Sequence, residues 1–497
     1  MSEVTKQKIL VGGEWIDSNS ERFEEITDPT TNDVIAHVPL CGEDEINKVI
    51  QVAKEAFPAW RDTPVAKRAA YFFKLQQILI REQENIAEII SKEHGKVFSD
   101  AMGSIRRGID IVEFAAGMPT LLQGQTIENI SKDIDCNTYR QPLGVCAAIT
   151  PFNFPAMVPM WFAPIAIAAG NTFVLKPSEK TSLSTLKIAE CFQEAGLPDG
   201  VFNVVTGDKE AVDALLHNYD VKAISFVGST PVGKYIYEEG SKNGKRVQAL
   251  TGAKNHMVVM PDADLEQAVS ALIGSVFGSA GERCMAISVC VAVGDVSDKL
   301  IPKLVERAKS LKVGPGTEKS MEMGPLVTKE HLNRVVSYIG KGIEEGASLI
   351  LDGRDLRVEG YPNGNWLGPT IFDYVTPQMT IYREEIFGPV LCVLRVDTLQ
   401  DAIDLINNHR FGNGTAIFTD SGKAARDFRT NVNVGMIGLN VPIPVPMAYF
   451  SFTGWKDSFF GTLHAHGKDG VLFYTEQKIV TSKWFGSQES SSLKMSI

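Results

Sequence analysis

Hydrophobic positions in the first part of the chain follow a strand-like period and then a helical one. Short β-type runs separated by turns occupy residues 9–11 and 15–17. From Glu43 onward, apolar residues recur every three or four positions, which predicts four helices, at 43–57, 69–79, 85–91 and 99–116. The polar, β-prone stretch 122–142 then predicts a small excursion of strands.

Continuous apolar runs alternate with helical patterns in the rest of the chain. Strands are predicted at 145–150, 172–176, 201–205 and 223–227, and helices at 161–169, 184–194, 209–216 and 234–240. A second alternating region covers 258–440, with strands at 289–293, 348–351, 390–396 and 416–418. Strands without polar alternation are buried on both faces, so the pattern predicts an α/β chain with parallel sheets covered by helices.

Composition narrows the class of protein. The 497 residues are too many for one ordinary core, so two or three domains are expected. A net charge of -11 argues against a surface that binds duplex nucleic acid. The longest apolar run, 157–169, contains two prolines and is too short to cross a bilayer. Neither a nucleic acid nor a membrane is therefore expected as a partner.

The cysteines and the chain ends bear on the compartment. Seven cysteines are scattered along the chain, and none has the Cys or His spacing of a disulfide framework or a metal site. The first residues lack the apolar core of a signal peptide. These features predict a reducing, cytoplasmic location and no bound metal. The Ser-rich end, 487–497, is predicted to be disordered.

A cysteine in a loop of small residues is the first candidate for chemistry. The small residues 278–281 lead into Cys284, so a ligand can approach the backbone closely. Arg283 is adjacent and favours the thiolate, the form that attacks carbon. Taken alone, this pattern fits a buried structural cysteine at least as well.

Two segments carry groups that suit a dinucleotide. Lys176 and Glu179 come just after a predicted strand, at the edge where parallel sheets bind ligands. A glutamate there accepts the hydroxyls of an adenosine ribose and repels the extra phosphate of NADP, so NAD is preferred. Ser229 lies between a predicted strand and a predicted helix, where helix amides hold a pyrophosphate. A solvated surface pair and an ordinary turn are the alternatives.

Two further segments suit the reacting end of such a ligand. Asn153 lies between prolines after a predicted strand, and its amide is a good donor to an oxyanion. Glu385 can bind a second ribose, and Phe387 can pack on a nicotinamide ring. A turn asparagine and an acidic helix end are the alternatives.

Together these segments resemble the aldehyde dehydrogenase family, and the resemblance covers nearly the whole chain. It rests on Pro-Phe-Asn-Phe-Pro at 151–155, Leu-Lys-Pro-Ser-Glu at 175–179, Phe-Val-Gly-Ser at 226–229, Gly-Glu-Arg-Cys at 281–284 and Glu-Ile-Phe-Gly-Pro at 385–389. The resemblance implies that Cys284 is the nucleophile and Asn153 the oxyanion donor. The residues that it implies for binding NAD are Thr150, Phe152, Lys176, Glu179, Lys180, Ser229, Thr251, Glu385 and Phe387.

The same resemblance implies a domain organisation. It gives two doubly wound parallel-sheet domains: an NAD-binding domain from 1–121 and 143–250, and a catalytic domain from 251–440. A small β oligomerisation arm is expected from 122–142 and 475–486. A homodimer or homotetramer is therefore predicted.

One departure from the family pattern concerns the residue that activates the hydrolytic water. Hydrolytic members carry Glu-Leu-Gly-Gly-Lys, whose glutamate activates the water that cleaves a thioester, whereas Leu250 stands at that position here. Without this base, attack by water loses a factor of about 10²–10⁴. A thiol needs the base less. The segments Gly-Ala-Lys-Asn-His at 252–256 and Phe-Ser-Phe-Thr-Gly-Trp-Lys at 450–456 are similar to the branch of the family that transfers the acyl group to coenzyme A.

That branch implies a semialdehyde that carries a carboxylate. Malonate semialdehyde or methylmalonate semialdehyde would be oxidised with NAD to acetyl-CoA or propionyl-CoA with release of CO2. Arginine binds carboxylates in a two-pronged fork, so Arg283 and, by the resemblance, Arg107 are expected to hold the substrate. From the residues alone, Arg107 beside Arg106 is better explained as a solvated helix face. A hydrolytic dehydrogenase with another base and a non-catalytic relative are the alternatives.

Overall fold

The computed structural model describes residues 4–485, and two large sheets with parallel centres form its framework. The predicted tail, 487–497, and residue 486 of the predicted arm lie outside the described residues. The prediction of an α/β fold with two parallel sheets and a small strand arm is confirmed. The domain boundaries themselves stay a prediction.

Short strands precede long helices in the first part of the chain. These elements are β1 (Thr5–Lys6), β2 (Ile9–Val11), β3 (Glu14–Ile16), β4 (Phe23–Thr27), β5 (Val34–Pro39), α1 (Glu43–Asp62), α2 (Val65–His94), α3 (Phe98–Ala116) and α4 (Met118–Leu121). Two helices were predicted at 69–79 and 85–91, and this was wrong, because α2 runs through both. The intervening residues 80–84 include no glycine or proline and are mostly good helix formers.

Strands and helices then alternate, as the apolar pattern predicts. The elements are β6 (Thr126–Ser131), β7 (Ile134–Pro142), β8 (Val145–Ile149), α5 (Met157–Ala168), β9 (Thr172–Lys176), α6 (Leu183–Glu194), β10 (Phe202–Val204), α7 (Lys209–His217), β11 (Val221–Val227), α8 (Thr230–Lys242) and β12 (Arg246–Leu250). Helix α5 begins before the predicted 161, since Pro159 lies in its first turn, where no backbone N–H bond is lost.

The second alternating region contains more elements than the sequence predicted. They are β13 (Asn255–Val259), α9 (Leu265–Phe277), β14 (Ile287–Val293), α10 (Val296–Lys309), α11 (Lys329–Glu344), β15 (Ser348–Leu351), β16 (Thr370–Asp373), α12 (Thr380–Arg383), β17 (Val390–Val396), α13 (Leu399–Asn408), β18 (Phe411–Gly412), β19 (Gly414–Phe418), α14 (Gly422–Asn431) and β20 (Met436–Leu439). The last elements are β21 (Trp455–Lys456), β22 (Phe459–Phe460), α15 (Gly467–Phe473) and β23 (Thr475–Lys483).

The first sheet has 8 strands in the order β22-β12-β11-β8-β9-β10-β2-β3. Strands β12, β11, β8, β9 and β10 are parallel, and antiparallel strands close both edges. Every residue of β8, β9 and β10 is buried, which explains their unbroken apolar pattern. Their carboxyl ends therefore meet at one edge of the sheet.

The second sheet has 7 strands in the order β15-β16-β17-β14-β13-β19-β20. All of these are parallel except β15, which pairs antiparallel with β16. A separate three-stranded antiparallel sheet, β6-β7-β23, forms the arm and is largely exposed. Two small sheets, β1-β5-β4 and β18-β21, were not predicted, because a sequence pattern indicates strands but not which of them pair.

Within residues 4–485, no helix combines the length and the apolar character that a membrane span needs.

A buried arginine fastens α1 and α2 to the end of α5. Arg68 is 6% exposed, and its guanidinium donates to the carbonyl oxygens of Thr63, Ala168 and Ala169. Two of these carbonyls lie at the end of α5 and one lies in the turn between α1 and α2. Because they are buried against Arg68, they have little access to water as an alternative partner. Buried acceptors must be paired, so this side chain fixes the packing of helices behind β8 and β9.

We expect Arg68→Met to destabilise the protein by about 2–4 kcal/mol, because it leaves several buried carbonyls unpaired. The matched change Arg81→Met removes an exposed arginine, whose ion pairs with Glu82 and Glu194 are screened by solvent and should add little stability. The midpoint of thermal unfolding at a fixed heating rate measures both. Equal shifts in the two variants would contradict the role given to Arg68.

Candidate active site

A cleft of 680 Å³ opens at the carboxyl ends of the first sheet and reaches the loop before β14. The strands β8, β9, β11 and β12 deliver polar side chains to it at or just after their last residues. The cleft brings together Thr150, Phe152, Asn153, Lys176, Glu179, Ser229, Thr251, Cys284, Glu385 and Phe387. Most of the side chains chosen from the sequence therefore share one space.

The loop that carries Cys284 has an unusual backbone. A 3-10 turn, Gly278–Gly281, follows α9, and Ser279 and Ala280 have φ of 49° and 52°. Gly281 has a φ of 75°, and a Cβ there would lie 2.2 Å from the carbonyl oxygen of Gly388. Only glycine fits this position, because the Cys284 loop presses on the segment 385–389.

Two asparagines fix the main chain at the cysteine. Asn255 Nδ2 donates to the carbonyl oxygen of Cys284 at 2.9 Å, and Asn413 Nδ2 donates to the same oxygen at 3.0 Å. Asn255 begins β13, and Asn413 lies between β18 and β19. The Cys284 peptide is thus held from two other strands, which keeps the thiol in one orientation.

Burial controls the ionisation of Cys284. It raises the pKa of the thiol to about 12, and the nearby Glu385 carboxylate adds to the rise. Lys96 and the backbone N–H groups of Cys284 and Met285 oppose it. With this raised pKa the sulfur is a protonated thiol at neutral pH.

Asn153 connects the first sheet with the cysteine loop. It lies between β8 and α5, is 3% exposed, and donates from Nδ2 to the carbonyl oxygen of Glu282 at 3.0 Å. Its own carbonyl oxygen accepts a hydrogen bond from Lys96 Nζ at 2.6 Å. The amide therefore lies beside the cysteine loop with one N–H bond in use and a second N–H still available.

One end of the cleft suits an adenosine and its phosphates. Glu179 Oε2 lies 3.0 Å from Lys176 Nζ, and although burial favours the neutral acid, Lys176 and Lys180 hold the pKa of Glu179 below its ordinary value. Ser229 precedes α8 and makes no capping hydrogen bond within residues 4–485. Its hydroxyl and the first amides of α8 are positioned for an anion. Thr251 donates from its hydroxyl to the carbonyl of Asp457.

The other end of the cleft contains aromatic rings and a buried carboxyl group. The rings of Phe152 and Phe387 meet edge to face with centroids 5.8 Å apart. Glu385 Oε1 accepts a hydrogen bond from the backbone N–H of Ala253 at 3.0 Å, and burial raises the pKa of this carboxyl group to about 7. Lys254 Nζ donates to the carbonyl of the preceding Glu384, which fixes the segment.

Three predicted site residues lie outside the cleft. Lys180 Nζ faces Glu24 at 3.9 Å. Arg283 pairs with Asp100 at 2.6 Å, and although it shares a cavity of only 20 Å³ with Cys284, its charge is already neutralised. Arg107 is half-buried, and its guanidinium approaches the carbonyl oxygens of residues 445 and 446. The exposed helix face described for Arg106 does not extend to Arg107.

Sequence reasoning missed a buried group of ionisable side chains beneath Phe152. Glu282 and His94 are 0% and 1% exposed, and Glu282 Oε2 lies 3.7 Å from His94 Nε2. His331, at the start of α11, approaches Glu282 Oε1 at 3.5 Å. Burial raises the pKa of Glu282 well above its ordinary value and lowers those of both histidines, so burial favours the neutral form of each group. Their distant sequence positions gave no signal.

Leu250 is the last residue of β12 and is 4% exposed. The cleft contains the carboxyl groups of Glu179, Asp208 and Glu385, of which Glu179 is paired with Lys176 and Glu385 accepts from the Ala253 amide. Glu282 is buried among the histidines. Leu250 therefore puts an apolar side chain at the position from which the family's base acts.

Comparison with known proteins agrees with these features. A sequence profile of the aldehyde dehydrogenase family matches residues 15–480. The malonate-semialdehyde dehydrogenase of Pseudomonas aeruginosa is 57% identical over 476 residues, which are 96% of each chain. The NAD complex of a Sinorhizobium meliloti protein described as a methylmalonate-semialdehyde dehydrogenase superposes with a TM-score of 0.97 at 48% identity, over 98% of this chain and 100% of that chain. The methylmalonate-semialdehyde dehydrogenase of Oceanimonas doudoroffii gives 0.96 at 52% identity, over 97% and 99%.

The raised pKa of Cys284 predicts a pH dependence of its alkylation. Below a pKa of about 12 the thiolate fraction grows with pH, so iodoacetamide should label Cys284 about tenfold faster for each pH unit between 7 and 9 when no ligand is bound. Mass spectrometry identifies the labelled peptide, and Cys284→Ala confirms the assignment. A rate that is flat over this range would show that the thiolate is already formed at pH 7.

Proposed function

Because the chain belongs to the aldehyde dehydrogenase family, we propose that it oxidises malonate semialdehyde or methylmalonate semialdehyde with NAD and transfers the acyl group to coenzyme A. The observation that carries this proposal is that Cys284 and Asn153 share one cleft, while the buried Leu250 occupies the sequence position of the hydrolytic base. The relatives that bear malonate-semialdehyde names are 49–57% identical to the chain, which supports the substrate class.

The cleft residues fit NAD. The Glu179 carboxylate can accept the hydroxyls of the adenosine ribose, and Ser229 with the α8 amides can hold the pyrophosphate. Glu385 can bind the second ribose, while Phe387 packs at the ring end. When bound, NAD accepts a hydride from the substrate carbon. The supporting residues are already in place, because Lys176, Ala253 and Lys254 hold both carboxylate segments.

The chain's own residues then perform acyl transfer. Cys284, as the thiolate, forms a bond to the aldehyde carbon, and the carbonyl oxygen becomes an oxyanion. Asn153 Nδ2 and the backbone N–H of Cys284 donate to this oxygen. After oxidation, Cys284 carries the acyl group as a thioester. The bond to the β-carboxylate can break to release CO2, because the thioester carbonyl accepts the electron pair, and a proton then adds to the α-carbon.

Coenzyme A completes the reaction. Its thiolate attacks the thioester carbon, and Cys284 leaves as a thiolate. A thiol is partly ionised near neutral pH, so this step needs no base at the position of Leu250. The products are acetyl-CoA from malonate semialdehyde and propionyl-CoA from methylmalonate semialdehyde.

Two other functions are weaker. A hydrolytic dehydrogenase would need a carboxylate to activate water, and Glu282, the acid next to the cysteine loop, faces His94 and His331 in a buried cluster. A non-catalytic relative would have no use for the cleft side chains, yet the nucleophile, the amide and the ribose carboxylates are all present.

The acceptor is tested by product analysis with each semialdehyde. With coenzyme A, we expect NADH and acyl-CoA in equal amounts; without it, NADH formation should stop after about one equivalent per Cys284. Cys284→Ala should form no NADH. Steady NADH production at the full rate without coenzyme A, with a free acid as product, would instead establish the hydrolytic enzyme.

Arg107 is the better placed of the two arginines proposed for the substrate carboxylate. It approaches two main-chain carbonyls and the sulfur of Met447, and it has no ion-pair partner within residues 4–485. Arg283 is already paired with Asp100. We therefore propose that Arg107 binds the carboxylate, and that Arg283 contributes only when it is released from Asp100.

Arg107→Leu should lower kcat/KM for the semialdehyde about 10- to 100-fold, since a hydrogen bond to a charged group is worth about 1.5–3 kcal/mol. Propanal, which has no carboxylate, should be oxidised as before. Arg106→Leu, one residue along α3, is the matched control. It should change kcat/KM neither for the semialdehyde nor for propanal. A parallel loss with propanal would show that Arg107 supports the loop and not the substrate.

The arm and the cysteines support two further proposals. Ile127, Ile130, Tyr139 and Ile479 on the three-stranded arm are more than half exposed, an apolar surface that suits a second copy of the chain. We propose a homodimer or homotetramer.

All seven cysteines are unpaired. A reducing, cytoplasmic location fits them.

A further inference from the structure

A fully buried lysine lies beneath the active site. Lys96, between α2 and α3, is 1% exposed. Its Nζ donates to the carbonyl oxygen of Asn153 at 2.6 Å and lies 3.8 Å from the ring centroid of Phe154. It forms no ion pair within residues 4–485. Burying an ammonium group without a carboxylate partner is costly, and a methionine would fill a similar volume without that cost.

The backbone around Lys96 is held tightly. Gly95 ends α2 with a φ of 85°, and the backbone N–H of Phe98 donates to the carbonyl of Gly316. A Cβ on Gly316 would lie 2.4 Å from the carbonyl oxygen of Lys96, so the two segments touch. The Lys96 side chain therefore starts from a rigid backbone, and its Nζ can restrain the group to which it donates.

Lys96 binds the main chain of Asn153, the residue proposed to hold the oxyanion. Asn153 is attached at both ends: its carbonyl to Lys96, and its side-chain amide to the carbonyl of Glu282. A rotation of the Asn153 peptide would move the amide relative to Cys284. The hydrogen bond from Lys96 opposes this rotation.

We infer that Lys96 is a positioning residue for the oxidation step: its ammonium group holds the Asn153 peptide so that the side-chain amide faces the oxygen of the substrate carbonyl. The inference rests on the proposed function only in that Cys284 attacks an aldehyde beside Asn153. It does not depend on which acceptor later removes the acyl group.

The charge of Lys96 adds to this role. The ionisable groups that face it are Asp100, Arg283, Glu282 and Cys284. Burial lowers the pKa of Lys96 to about 7, so the ammonium form is present below that pH and is lost above it. A cation at this place also favours negative charge on the Cys284 sulfur.

The test is a single turnover without coenzyme A, in which NADH formation reports attack and oxidation alone. Lys96→Met should lower its rate constant about 10- to 100-fold, because a small misplacement of a catalytic group has effects of that size. The dissociation constant of NAD should change by less than about twofold, since the lysine is not in the cleft lining.

Lys245→Met is the matched control. Lys245 is also buried, at 7% exposed, and its Nζ donates to the carbonyls of Asn218 and Val221. It precedes β12 at the end of the first sheet opposite the cleft. This variant, like Lys96→Met, removes a buried ammonium group that donates to main-chain carbonyls, and it should keep the single-turnover rate.

A double-mutant cycle with Asn153→Ala separates positioning from packing. If Lys96 acts through Asn153, Lys96→Met should slow the Asn153→Ala enzyme by no more than about threefold. Equal rates in the Lys96→Met and Lys245→Met variants, or a fully additive cycle, would overturn the inference. If the wild type forms NADH, such a result leaves the proposed function intact.

Lys96→Gln provides a second variant should the methionine variant not fold. Glutamine is shorter and uncharged, so it should not hold the Asn153 carbonyl at the same place. A loss of rate with unchanged NAD affinity supports the inference, and an undiminished rate overturns it.

Discussion

One hydrogen bond joins the two halves of the active site, from Asn153 Nδ2 to the carbonyl oxygen of Glu282. Asn153 follows a strand of the first sheet, and Glu282 lies in the loop before a strand of the second. The thiol can face the cofactor cleft only if these two loops keep their separation. The contacts of Asn255 and Asn413 with Cys284, and of Lys96 with Asn153, all stiffen this junction. The chemistry therefore depends on a junction between two sheets more than on any single element.

The charge state of the site follows from the same close packing. Burial raises the pKa of Glu282 and of Glu385, so the acids nearest the thiol carry less negative charge than exposed carboxylates would. A thiolate can therefore approach a thioester on Cys284 with less repulsion. The substrate carboxylate also meets less repulsion there. The absence of a base at Leu250 and the reduced charge of the neighbouring acids thus favour the same acceptor.

The sequence predicted the strands and the cleft residues well because both depend on local patterns. Unbroken apolar runs identify buried parallel strands, and short motifs at their carboxyl ends place Asn153, Glu179 and Ser229 at one edge. The small β1-β5-β4 sheet had no such period. Residues whose role depends on distant partners could not be predicted: Asp100 and the cysteine loop bond across 179 positions.

Lys96 and Arg283 both show why a role that depends on distant partners could not be predicted from the sequence. No residue near Lys96 in the sequence indicates its contact with Asn153, which lies 57 positions away. Arg283 was expected to bind the substrate carboxylate because it is adjacent to Cys284, yet the fold supplies an aspartate for it. A charged residue beside a nucleophile is a good indicator of chemistry, but its availability is decided by tertiary structure.

The end of the chain is built into its first sheet, and this affects the order of folding during synthesis. Strand β22 pairs with β12, and the fully buried Tyr474 bonds to Ser225 and Asn171 of the first sheet. The ribosome makes the whole second sheet between these partners. Until residue 474 emerges, the first sheet lacks an edge strand and has an unfilled core. The first sheet is therefore completed after the second, and a nascent chain that stops before β22 leaves the first sheet with an unpaired edge that is exposed to aggregation.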